Sequence, residues 1–133
     1  MQNLKIDKNK IRKSCKKHDV MLLILHGSYA KGLTTPKSDI DVGILIKGKL
    51  TGEKHSELIK DFGGIFGDKF DPVFLNNAEP MITYHVAISG TLLYEAKRGT
   101  FAAFKVQAIA RYQDTKKFRD MEKAYIKRAA GRA

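Results

Sequence analysis

The chain is poor in the features that mark secreted, membrane and metal-cluster proteins. It has a single cysteine, Cys15, in 133 residues, so no intrachain disulfide can form and a reducing cytosol suits it. The longest uninterrupted apolar run, Val20 to Leu25, falls far short of the roughly 20 residues needed to span a bilayer. The N-terminal stretch is charged and has no apolar core of the kind a signal peptide needs. Four histidines, His18, His26, His55 and His85, are scattered without metal-ligand spacing. No internal repeat, low-complexity linker or Cys-His-Asp pattern is present. These absences lead to the expectation of a cytoplasmic protein with no membrane segment.

What is present fits one globular domain spanning 1–133. Hydrophobic residues make up 43% and charged residues 29%, enough for a real core but, at this length, not for an added substrate-binding domain. Net charge is +11, and it is confined to the ends. Residues 1–17 carry seven Lys/Arg and one acid, residues 116–133 carry seven and two, and the 98 residues between hold eleven of each sign. Basic ends of this kind suit an acidic protein partner, RNA or an incoming nucleotide, or serve only as a solubilising surface.

Periodicity orders the elements. A helix is expected over 7–18, with Ile11, Cys15 and His18 on one side. Lys16 and Lys17 could lower the Cys15 pKa, but the residue reads more simply as a small packing group. Val20 to His26 reads as a buried strand closed by Gly27, and Ser28 to Gly32 as a short helix or turn. Asp39 to Ile46 alternates, with Ile40, Val42, Ile44 and Ile46 on one face, which sets Asp39 and Asp41 together on the other. A crossover helix over 52–66, a strand over 69–75, a helix over 80–88 and a strand over 92–96 follow. Pro72 inside the third strand implies an edge or a bulge. A long helix then begins, with Phe101, Phe104, Ala108 and Tyr112 on one stripe. A second stripe, Phe118, Met121, Tyr125 and Ala129, lies roughly 100° around from the first. A basic helical tail from about 113 therefore either curves over its own domain or faces a partner.

The chemistry-bearing pattern is Gly27-Ser28, ten residues, then Asp39-Ile40-Asp41. A Gly-Ser turn after an apolar strand can hold the terminal phosphates of a nucleotide, with Lys31 one turn on as a cation for the leaving group. Two carboxylates on one strand face repel unless a cation lies between them, and a hard divalent ion with oxygen ligands such as Mg²⁺ meets that need. A third carboxylate for a two-metal site is Asp71, the only acid within the third apolar strand, where it can also help deprotonate an incoming hydroxyl. Asp68 reads as a turn residue and Asp61 as a solvated position on the crossover helix. His26 could line the nucleotide pocket, although strand-end packing accounts for it as well.

Gly27-Ser28, Asp39-x-Asp41 and the later Asp71 resemble the DNA polymerase β-like nucleotidyltransferase superfamily, and more closely its minimal (MNT or MntA-type) branch. The resemblance covers about residues 20–96 and is most specific at Ser38-Asp39-Ile40-Asp41-Val42. Lys31 stands where that branch often has arginine, which keeps the charge but not the bidentate geometry. The resemblance implies an α/β (α+β) fold, a small mixed β-sheet flanked by helices. It implies Asp39, Asp41 and Asp71 as catalytic and Mg²⁺-binding residues, and Gly27, Ser28, Lys31 and Ser38 as nucleotide-binding ones. It implies ATP as donor, AMP as the transferred group and pyrophosphate as leaving group. Members of this branch pair with a HEPN-type RNase toxin and act as antitoxins by adenylylating a tyrosine on it, so a hetero-oligomer is expected. The alternatives are a non-catalytic protein that neutralises a toxin by binding, and a nucleotidyltransferase acting on a small molecule or RNA. The chain lacks the interleaved aromatic and basic residues of single-strand binders, which disfavours nucleic acid.

Overall fold

The computed structural model describes residues 6–32, 34 and 38–131. Along the chain run α1 (Lys8–Lys17), β1 (Val20–His26), α2 (Gly27–Lys31), β2 (Ile40–Ile46), α3 (Gly52–Phe66), β3 (Phe70–Phe74), α4 (Pro80–Ser89), β4 (Thr91–Glu95) and α5 (Thr100–Ala130). Local chemistry explains the helix starts. The Asp7 side chain accepts from the backbone N–H of Asn9 and Lys10 ahead of α1, and Thr51 Oγ1 accepts from Lys54 N at 3.2 Å ahead of α3. Pro80 opens α4, where its missing N–H costs no hydrogen bond.

The four strands form one mixed sheet in the order β3-β2-β1-β4. β1 runs antiparallel to both β2 and β4, whereas β2 and β3, joined through α3, are parallel. Pro72 therefore sits on an edge strand, where a missing donor faces outward. Just past β3, the Asn76 side chain bonds both Ile46 N (3.0 Å) and Ile46 O (2.9 Å), imitating one more rung of the ladder.

Each face of the sheet packs on helices. Under α1 and α3, Leu23, Val42, Ile44 and Ile46 meet Ile11, Cys15, Leu58 and Phe62. Under α4 and α5, Leu22 and Ile24 meet Leu75 and Val86, with Phe101 and Phe104 closing the outside. Alternation along β1 and β2 assigns successive residues to these two layers.

Two expectations need correction. Asp61 is not simply solvated: its Oδ2 lies 2.5 Å from His18 Nε2 and 3.4 Å from Lys17 Nζ, tying α3 to α1. The pair is 43 residues apart in sequence, so only helix packing brings it together. Its bond to His18 holds the Asp61 carboxyl below the usual range. Asp39 lies one residue before β2 rather than inside it. Cys15 is fully buried, and burial pushes its thiol up to about 12, as befits a packing residue.

α5 runs unbroken for 31 residues, about 46 Å. Its first half packs on the domain, and Tyr112 stacks on Tyr84 with ring centroids 4.0 Å apart. Beyond that point Phe118, Met121 and Tyr125 are 69%, 63% and 69% exposed. No helix among the described residues is long and apolar enough to cross a membrane.

Candidate active site

β1 ends at His26, and the chain turns at once into α2. Gly27 makes that turn at φ +68°, in the left-handed region, and a Cβ there would overlap Asp41 Oδ2. Glycine is thus required twice at this position, for backbone conformation and for the approach of β2's carboxylate. Ser28 is half-buried in the first turn of α2, and Lys31 is exposed at its end. Ser38 (half-buried) and Asp39 (exposed) lead into β2.

The sheet register then aligns three side chains. His26 pairs with Asp41 across the antiparallel β1–β2 ladder, and Asp41 pairs with Asp71 across the parallel β2–β3 ladder. Directly paired residues project from one face, so His26, Asp41 and Asp71 form a row across three strands. Gly43, two residues along β2 on that face, approaches Leu75 and Val86. The row therefore opens on the side that α4 and α5 cover.

Electrostatics within the row are unfavourable without a cation. Burial, a hydrogen bond to the Asp71 carboxyl, and the charges of Asp71 and Asp39 push the Asp41 carboxyl up to about 6. His26 is held below the usual imidazole range by burial, against an opposing pull from Asp71. Among the described residues its buried Nε2 has no hydrogen-bond partner. Hard oxygen donors whose mutual repulsion a cation would relieve fit Mg²⁺ chemistry. The Asp39 charge adds to this repulsion at Asp41, and no three His, Cys, Asp or Glu side chains among the described residues form a ready-made metal cluster.

Of the residues singled out from sequence, Gly27, Asp41 and Asp71 meet directly, Ser28 and Asp39 flank them, and Lys31 stands at the rim. His26 belongs to the row as well. Its only sequence signal was its place immediately before Gly27. A groove of about 380 Å³ between α1 and α3, lined by Lys10, Lys13, Lys17 and Asp61 among others, contains none of these residues.

The sequence pattern described as polymerase beta, nucleotidyltransferase matches residues 9–99. No curated protein matches the chain. A solved toxin–antitoxin structure with AMP-PNP superposes at a TM-score of 0.75 and 25% identity, over 91% of this chain and 98% of that one. A tri-AMPylated Shewanella oneidensis HEPN toxin in complex with MNT antitoxin gives 0.68 at 24% identity, over 90% and 94% of the two chains. The MntA-HepT toxin-antitoxin structure gives 0.68 at 23%, over 90% and 95%. These last two bear on the fold alone.

Proposed function

The chain belongs to the polymerase beta nucleotidyltransferase family, and on that premise we propose that it transfers AMP from Mg-ATP to a tyrosine of a HEPN-type RNase toxin, acting as its antitoxin. The observation that carries this reading is the Asp41–Asp71 pair beside the Gly27 turn. In the reaction the tyrosine oxygen forms a bond to the α-phosphorus of ATP, the bond to the β-phosphate oxygen breaks, and pyrophosphate leaves.

The residues divide this work. Gly27 and Ser28 seat the terminal phosphates with backbone N–H groups and the Ser28 hydroxyl, and Ser38 lines the same pocket. Lys31 offsets charge on the departing pyrophosphate. Asp71, exposed on the edge strand, accepts the phenolic proton. Asp41, Asp71 and Asp39 would hold magnesium, which supplies neutralisation of phosphate charge when bound. His26, half-buried beside the pair with its Nε2 enclosed, limits water at the inner end of the row.

The exposed apolar stripe on the far half of α5 supports an acceptor carried by another polypeptide. One solved relative points the same way, a toxin–antitoxin structure with an ATP analogue. The test combines the chain, α-labelled ATP, Mg²⁺ and any HEPN-type toxin encoded in the same genome. Label should move to a partner tyrosine and disappear with Asp41→Asn. Transfer that survives Asp41→Asn, or none with wild type, would refute the assignment. Growth rescue equal between wild type and Asp39→Ala/Asp41→Ala would point instead to neutralisation by binding.

A further inference from the structure

Exposed large apolar side chains are not spread over this protein. Among the described residues every one of them lies on α4 or α5, and none on α1, α3 or the strands. The prominent ones are Met81 (46%), Ile82 (41%) and Ile88 (53%) on α4, with Phe118, Met121 and Tyr125 on α5. Isolated exposed apolar residues are ordinary, but confinement to one layer is a mark of an interaction surface.

Geometry links this layer to the active site. At its N-terminal end α4 meets α5, through the Tyr84–Tyr112 stack and the reach of Arg111 Nη1 to Ala78 O at 3.5 Å. At its C-terminal end Gly90 lies against Ile24 and the Leu25 carbonyl, and Thr91 pairs with Leu25, next to His26. The ten residues of α4 thus form a path of about 15 Å from the α5 junction to the catalytic end. Met81 and Ile88 lie two turns apart on one line of α4, with exposed His85 between them.

Among the described residues nothing packs on the far half of α5, whose residues 120–131 are all exposed. Ile126 lies on the same side of the helix as Phe101 and Ala108, which pack on the domain, yet it is 58% exposed. The helix therefore overhangs the domain's edge. Between 116 and 131 it carries six Lys/Arg against two acids, so its apolar stripe is bordered by positive charge.

We propose that this α4–α5 layer is the docking surface for the acceptor protein, which meets it with apolar side chains bordered by Asp and Glu. The proposal rests on the reading that the acceptor is a separate polypeptide. Charge selects this occupant: a second copy of the chain would set one basic overhang against another, whereas an acidic rim complements it. Phe118, Met121 and Tyr125 require an apolar counterpart that a phosphate backbone does not offer. A partner lying along both helices brings a side chain to the Asp41–Asp71 row from the face on which it opens.

The test uses the full chain and, as probe, any HEPN-type toxin encoded in the same genome, with calorimetric titration without nucleotide and initial rates of AMP transfer. Phe118→Ser/Met121→Ser/Tyr125→Ser and, separately, Lys123→Glu/Lys127→Glu lie on the exposed overhang, and circular dichroism checks their folding. Each should raise Kd and the acceptor KM by ~10-fold or more, with kcat and the KM for ATP within ~2-fold of wild type. Unchanged Kd in both variants, or no binding by wild type, overturns the surface. So does a wild-type homodimer that the serine variant dissolves while partner affinity stays the same, or loss of affinity for a single-stranded RNA alone. Wild-type binding that the variants weaken, without any AMP transfer, removes the catalytic reading and keeps the surface. Transfer by wild type and variants alike, with equal acceptor KM, does the reverse.

Discussion

Replacing Gly27 with alanine isolates the feature on which the site depends. Two costs arise. The first is conformational, since an L-residue at φ +68° loses about 1–2 kcal/mol. The second is local: the new methyl group would overlap Asp41 Oδ2, so the carboxylate must swing away from its place beside Asp71. Gly48→Ala supplies the control, because Gly48 has φ +82° and nothing within 4 Å of a built Cβ. Both variants lose the same unfolded-state freedom, so that contribution cancels between them.

For a chain of 133 residues the unfolding entropy is about 0.28 kcal/mol/K, so each kcal/mol lowers Tm by about 3–4 °C. Gly48→Ala should therefore melt below wild type by at most about 4–7 °C, an unfolded-state gain of about 0.4–1 kcal/mol offsetting part of the strain, and transfer AMP at the wild-type rate. Gly27→Ala should melt at least as low and transfer AMP about 100-fold more slowly, the usual consequence of moving a reacting group by about 1 Å. The assay is the initial rate of label transfer from α-labelled ATP to the partner protein, well below both melting temperatures. If Gly27→Ala keeps its rate within about threefold of Gly48→Ala, the rate is not sensitive to Asp41's place and the site is misassigned.

Three further outcomes follow from the geometry. Asp41 has a raised folded-state pKa of about 6, so its neutral form stabilises the fold at low pH and that stability is lost as pH rises through about 6. Without a cation, melting temperature should fall between pH 4 and 7. Mg²⁺ should restore it more at pH 7 than at pH 5, and Asp41→Asn should flatten both effects; a Mg²⁺ response independent of pH would count against a carboxylate site. Asp61, whose folded pKa is depressed by His18, stabilises above its unfolded pKa and loses that contribution as pH falls below about 4. Asp61→Asn should lower Tm at neutral pH, converge on wild type in acid and leave AMP transfer unchanged; an equal loss at pH 3 and pH 7 would show that charge is not the cause. Gly90→Ala should destabilise by about 1–3 kcal/mol in a urea titration, since its methyl group would collide with the Val86 carbonyl and Ile24 Cγ2. A wild-type midpoint would mean that α4 and β1 can separate freely.

Much of this protein was already written in its residue order. Alternation in Ile40–Ile46 assigned four side chains to the core and Asp41 to the other face, because strand periodicity admits only two sides. The element order followed from periodicity and turn chemistry; Pro72 left an edge or a bulge open, and the sheet order made its strand an edge. Other features depended on contacts that no local window contains. Asp61 became a clamp only when α3 was laid on α1, and His26 joined the carboxylates only when β1 and β2 paired in register. Whether the second stripe of α5 was core or surface depended on where the sheet and α4 end beneath it. A helical pattern records which side chains share a face, but the edge of the domain decides whether anything lies against that face.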